Sequence, residues 1–130
     1  MPERSGDWLR QAERDLEHAR RSALSGDHEW ACFAAQQAAE KALKALHQAL
    51  GGEGWGHSIM RLLNNLSVKV PIDDDLPACA RFLDKLYIPT RYPNGLPTGA
   101  PADYYTHAES ERAIADAEAI VVVCQGIVSG

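Results

Sequence analysis

The sequence predicts an all-α fold: an antiparallel up-and-down bundle of four to five helices, with a long proline-rich loop before the last one. Three observations carry this. Apolar residues recur at spacings of three and four through most of the chain, the period of one helical face. No segment alternates apolar and polar side chains for long enough to propose a strand, and Tyr104-Tyr105 and Val121-Val122-Val123 fit better in loop and helix. Between Tyr87 and Tyr105, four prolines and two glycines mark a long loop, of a length that in a compact domain is usually functional or disordered.

The first helix is expected over about Asp7 to Ala23, capped by Ser5 or Asp7, with Trp8, Leu9, Ala12, Leu16, Ala19 and Ala23 on one face. Its other face is densely charged, and Arg20-Arg21 suit the negative end of the helix dipole. Ser25-Gly26-Asp27 stops it and caps the second helix, His28 to Leu50, which ends in the glycine cluster Gly51 to Gly56. Ser58 opens a short third helix carrying Ile59, Leu62, Leu63 and Leu66. After Val70-Pro71, one of Asp73 to Asp75 caps a fourth helix with Leu76, Cys79, Ala80, Leu83 and Leu86. Thr106-x-x-Glu109 is a capping box for the last helix, whose stripe is Ala113, Ala117, Ile120, Val121, Cys124, Ile127 and Val128.

At 130 residues the chain is read as one domain, 1–130, large enough for a core without metal or disulfide staples. A net charge of −5 argues against non-specific nucleic-acid binding, which runs on phosphate neutralisation. Cys32, Cys79 and Cys124 are odd in number and far apart, so neither a zinc site nor a disulfide framework is suggested. Cys79 and Cys124 fall on apolar stripes, where a reduced thiol behaves as a small hydrophobe. A cytoplasmic protein fits, with no run of signal-peptide or membrane-spanning length. No cofactor or metal is called for, since consecutive residues Asp73 to Asp75 diverge at a helix start and serve better as caps.

Two stretches stand apart from helical filler. In Ala34 to Leu46 the polar residues Gln36, Glu40 and Lys44 form one i, i+4 row, with Gln37 and Lys41 beside it. Alanine allows another helix to approach closely, so these long side chains can be trapped at a contact. In Leu86 to Asn94, Pro89 and Pro93 restrict the backbone around Thr90-Arg91-Tyr92, a turn that aims one arginine fork.

Taken together, Gln36-Gln37-Ala38-Ala39-Glu40-Lys41-Ala42-Leu43-Lys44, then His57-Ser58, then Leu83-Asp84-x-x-Tyr87-Ile88-x-Thr90-Arg91-Tyr92-Pro93 closely resembles the HEPN family, over roughly Trp8 to Val123. The resemblance implies a four- or five-helix bundle, usually a homodimer. Many stand-alone prokaryotic members are paired with a minimal nucleotidyltransferase in a toxin–antitoxin-like system. Some are metal-independent endoribonucleases, and others are non-catalytic binding partners. The residues singled out for binding are Gln37, Glu40, Lys44, His57, Arg91 and Tyr92, with a nucleotide or RNA as ligand and no membrane partner.

The nuclease members carry an Arg followed, after four to six residues, by a His; counted from Arg91 those positions are Leu96, Pro97 and Thr98. The one formal match, Arg21 to His28, straddles the break between the first two helices. No catalytic residue is therefore assigned. The leading reading is a non-catalytic binding protein, and the alternative is an endoribonuclease rebuilt from Arg91, His57 and His107.

Each of these residues also has a purely structural reading. Glu40 and Lys44 can be a surface ion pair worth about 0.3–0.5 kcal/mol. Arg91 can hold its own loop through backbone carbonyls or through Glu40, the carboxylate expected beside it. His57 can serve the helix start, and Tyr87 and Tyr92 can anchor the loop. Trp8, Trp30 and Trp55 are expected in the core or at a dimer interface.

Overall fold

The computed structural model describes residues 3–130. Six helices follow in order: α1 (Ser5–Leu24), α2 (His28–Ala49), α3 (Ile59–Leu66), α4 (Leu76–Asp84), α5 (Pro101–Tyr104) and α6 (His107–Ser129). The bundle is built by α1, α2, α3, α4 and α6, while α5 is a single turn inside the proline-rich loop. Among the described residues there is no strand, and no helix is long and apolar enough to cross a membrane.

The centre of the bundle is α2. Thirteen of its 22 residues are buried, seven of them alanines, so it is covered almost all round rather than along one stripe. It lies against α1 on one side and α6 on another, and α3 closes its C-terminal end. The chain reverses between α1 and α2 at Gly26, whose φ of +82° is the left-handed conformation that glycine adopts without steric cost. Long aliphatic side chains fill the end of the bundle where α2, α3 and α4 meet: Leu43, Leu46, Ile59, Leu62, Leu63, Leu66 and Leu83 are all buried. The linker from α2 passes so close to α3 that a Cβ on Gly54 would come within 2.9 Å of Leu62 Cδ2.

Two of the expected caps form. Ser58 Oγ accepts from Arg61 N (3.2 Å) at the start of α3, and the Glu109 carboxylate accepts from both Thr106 N and Thr106 Oγ1 (2.8 Å each) at the start of α6. Other expectations are corrected. α1 begins at Ser5, which is itself buried, with Arg4 in the cap position and no side-chain cap. Asp75 precedes α4 but its carboxylate caps nothing. Instead Asp84, at the far end of α4, accepts from Ile59 N (2.6 Å), Met60 N (3.1 Å) and Ser58 Oγ (3.1 Å), so one helix caps another through tertiary contact. The loop gains a helical turn because Pro101 suits a first helical position and Asp103 reaches back to Ala100 N (3.0 Å).

None of the tryptophans is in the core: Trp55 is 77% exposed, Trp30 half-exposed and Trp8 half-buried. Cys32 and Cys124 are buried, which pushes their thiols up to about 12. Cys79 is only partly buried, and burial together with the Asp116 carboxylate raises its thiol to about 11.

Ala42 has no exposed surface, so Ala42→Leu should overpack α2 and cost roughly 1–3 kcal/mol in urea unfolding. Glu109 is held below its ordinary carboxylate pKa chiefly by the Thr106 N–H. A lowered folded-state pKa stabilises above the unfolded value and loses that effect as pH falls through the folded one. The cost of Glu109→Gln should therefore be measurable by thermal melting at neutral pH and shrink in acid.

Candidate functional site

In the polar row of α2, Gln36 and Glu40 are buried and Lys44 is partly buried. Glu40 is 3% exposed, and a carboxylate so placed must have its oxygens satisfied. Its Oε2 accepts from Lys44 Nζ (3.3 Å), and its Oε1 accepts from His57 Nδ1 (3.1 Å) and, more weakly, from Gln36 Nε2 (3.5 Å). Gln36 also donates to the backbone carbonyl of His57 (3.1 Å). The residue before Ser58 and α3 is thus clamped to the middle of α2 through both its ring and its backbone. The pair Glu40–Lys44 is not the surface pair that the sequence allowed: the two side chains are only 5% and 13% exposed.

From His57 the arrangement continues into the proline-rich loop. The imidazole stacks on the Tyr87 ring with centroids 4.7 Å apart and planes inclined by 18°. Arg91 lies one helical turn on, its Nε donating to Tyr87 O (2.9 Å) and its Cζ over three rings: Phe33 at 4.3 Å, Tyr87 at 4.7 Å and Tyr92 at 5.2 Å. Thr90, buried, pins the same turn by donating from Oγ1 to Leu86 O (2.6 Å). Trp30 packs edge-on against Phe33 and leaves half its surface in solvent, as does Tyr92. The result is an aromatic shelf with a fixed guanidinium, whose Nη groups meet no acceptor among the described residues.

Of the residues singled out, the structure brings Glu40, Lys44 and His57 into one network and joins Arg91 and Tyr92 to it through Tyr87. The expected contact of Arg91 with Glu40 is overturned. Glu40 spends its oxygens on Lys44, His57 and Gln36, and Arg91 takes the Tyr87 carbonyl and the rings instead. Gln37 stands to one side, between Gln36 Oε1 (2.8 Å) and Lys41 Nζ (3.4 Å), and Lys41 ties it toward α1 through Asp15 (2.5 Å). His107 turns to Glu111 (2.9 Å) and the ring of His28 (5.9 Å), and Arg21 to Glu17 (3.6 Å). Phe33 and Trp30 were not legible as site residues; their only signal was two aromatics, three apart, interrupting an alanine helix. No cluster of three potential metal ligands occurs among the described residues.

The fold is a helical bundle whose central alanine helix carries a Gln/Glu/Lys row and whose loop seats an arginine on aromatic rings. This chain belongs to the HEPN family, since the HEPN domain model matches residues 5–127. It is similar to a protein of known crystal structure from Thermus thermophilus, at 49% identity over 97% of this chain and 99% of that one, with a TM-score of 0.94. An archaeal HEPN homologue follows at 44% identity, 98% and 99% coverage and a TM-score of 0.83. A HEPN domain protein from Thermotoga maritima shares 38% identity, with 95% and 98% coverage and a TM-score of 0.78. No protein in the curated set matches the chain.

Glu40→Ala would leave the partly buried Lys44 without its carboxylate, and unfolding should be easier by about 3 kcal/mol, well above the few tenths of a surface pair. A loss under about 0.5 kcal/mol in urea titration would place Glu40 in the exposed-pair range instead.

Proposed function

We propose that this chain, as a single HEPN-like domain, is a non-catalytic binding protein that acts as a homodimer with a nucleotidyltransferase partner in a toxin–antitoxin-like pair. The observation that carries the reading is the shelf of Trp30, Phe33, Tyr87 and Tyr92 with Arg91 fixed across it. Tryptophan, tyrosine and arginine dominate the energetics of protein interfaces because each offers large area at low entropic cost. Leu96, Pro97 and Thr98, where a histidine would complete the family's Arg–His pair, support a role without catalysis. A nucleotide is the small ligand that suits the same surface, its base on Tyr92 and its phosphate on the open Nη groups of Arg91.

Co-purification from native extract should recover a nucleotidyltransferase with the homodimer. Recovery of the homodimer alone under all conditions would count heavily against the reading. Arg91→Lys keeps the charge but loses the planar fork, so it should melt close to wild type and bind partner at least about tenfold more weakly. A lower melting temperature with unchanged partner affinity would make Arg91 a loop anchor only. A nucleotide panel read by thermal shift tests the small ligand, which at 100 times its Kd adds about 2.7 kcal/mol.

The alternative, metal-independent RNA cleavage, is supported by one feature: His57 and Arg91 border the same Tyr87 ring, bringing a titratable group near a cation. RNA incubated with metal-free protein should then be cut, and His57→Ala and Arg91→Ala should each abolish cutting. Activity surviving both would remove these residues from any catalytic role.

A further inference from the structure

The aromatic shelf leaves a second surface unaccounted for. An open groove of about 790 Å³ follows the first turns of α1 and reaches α2 at Lys41. Arg4, Arg10, Arg14 and Lys41 line it, with the half-buried ring of Trp8 and a single carboxylate, Asp7. Four cations face one lining carboxylate, and with Asp15 and Glu17, which pair with Lys41 and Arg14, the patch keeps one net positive charge in a chain of net charge −5.

The groove already displays the group that its cations hold best. Asp7 is bridged by two guanidinium groups, Arg4 Nε to Oδ2 at 3.1 Å and Arg10 Nη2 to Oδ1 at 2.6 Å. Lys41 grips the Asp15 carboxylate at 2.5 Å, while Arg14 has only a loose contact with Glu17 at 3.7 Å. The three arginine side chains remain 66–75% exposed, so their other donors face solvent. Trp8 offers an apolar platform between them, with Lys44 Nζ 5.6 Å from its ring.

We propose that this groove docks an acidic peptide segment of a partner protein, its carboxylates on Arg4, Arg10 and Arg14 and one apolar side chain on Trp8. An acidic segment fits better than a nucleic-acid strand. A strand carries a phosphate at every step and would run off the groove onto the acidic remainder of a chain of net charge −5, whereas a peptide places carboxylates only where cations wait. This proposal does not rest on the function proposed for the aromatic shelf.

Fluorescence anisotropy of a short labelled peptide alternating glutamate and leucine tests the assignment. A lysine–leucine peptide and an oligouridylate of equal length serve as comparators. The acidic peptide should bind saturably at low salt and weaken as salt is added. Arg10→Glu with Arg14→Glu should weaken it at least about tenfold, while Arg20→Glu with Arg21→Glu, farther along α1, should change it less than about twofold. Trp8→Ala should weaken binding without changing its salt dependence, and Arg91→Ala should leave it intact. Three results overturn the proposal: no saturable binding at low salt, equal weakening by the two double variants, or tighter binding of oligouridylate, which would make the groove a phosphate site.

Discussion

A carboxylate buried in the middle of an alanine helix is unstable unless its charge is met by partners held as firmly as itself, and Glu40 is the point from which the site is organised. Lys44 meets one oxygen; His57 and Gln36 meet the other. Because His57 belongs to the linker rather than to α2, satisfying Glu40 also fixes the position of α3. Because the His57 ring stacks on Tyr87, it supports the loop in turn. The order of Arg91 is thus inherited, through one stacking contact and one backbone hydrogen bond, from a charge buried on another helix.

The two kinds of burial in α2 do different work. Its alanines carry little apolar surface each, so they set distances more than they add stability; they let α1 and α6 approach closely. Most of the hydrophobic term comes from the leucines and Ile59 where α2, α3 and α4 meet, at about 1.5–3 kcal/mol for each fully buried side chain. The polar row adds less net energy than its distances suggest, because desolvation offsets attraction. Its contribution is positional: only one seating of the linker satisfies Glu40. Asp84 serves α3 in the same way, reaching from α4 to meet the free N–H groups at the helix start.

Membership of the HEPN family accounts for the bundle and for the motif row, but a fold hosts more than one activity and the site has to argue its own. Here the loop after Arg91 continues as a 3-10 turn at Pro93–Gly95 and then as Leu96, Pro97 and Thr98. What the loop presents is area: flat rings and a fixed cation.

The helices were legible in the sequence because helix formation is a local matter of period, caps and breakers. The spacing of Leu9, Ala12, Leu16 and Ala19, the capping box at Thr106 and Glu109, and the length of α2 and α6 all follow from neighbours within a turn or two. The motif residues were legible too, as types and positions. Their partners were not. That Glu40 would choose His57 over Arg91, that Asp84 would cap α3 in place of a local aspartate, and that the tryptophans would stay at the surface depend on which side chains the bundle brings within 3–4 Å across long stretches of chain. Periodicity tells which face of a helix is buried but not what stands opposite. Glu40 Oε1, with two donors competing for it, was settled by the tertiary structure alone.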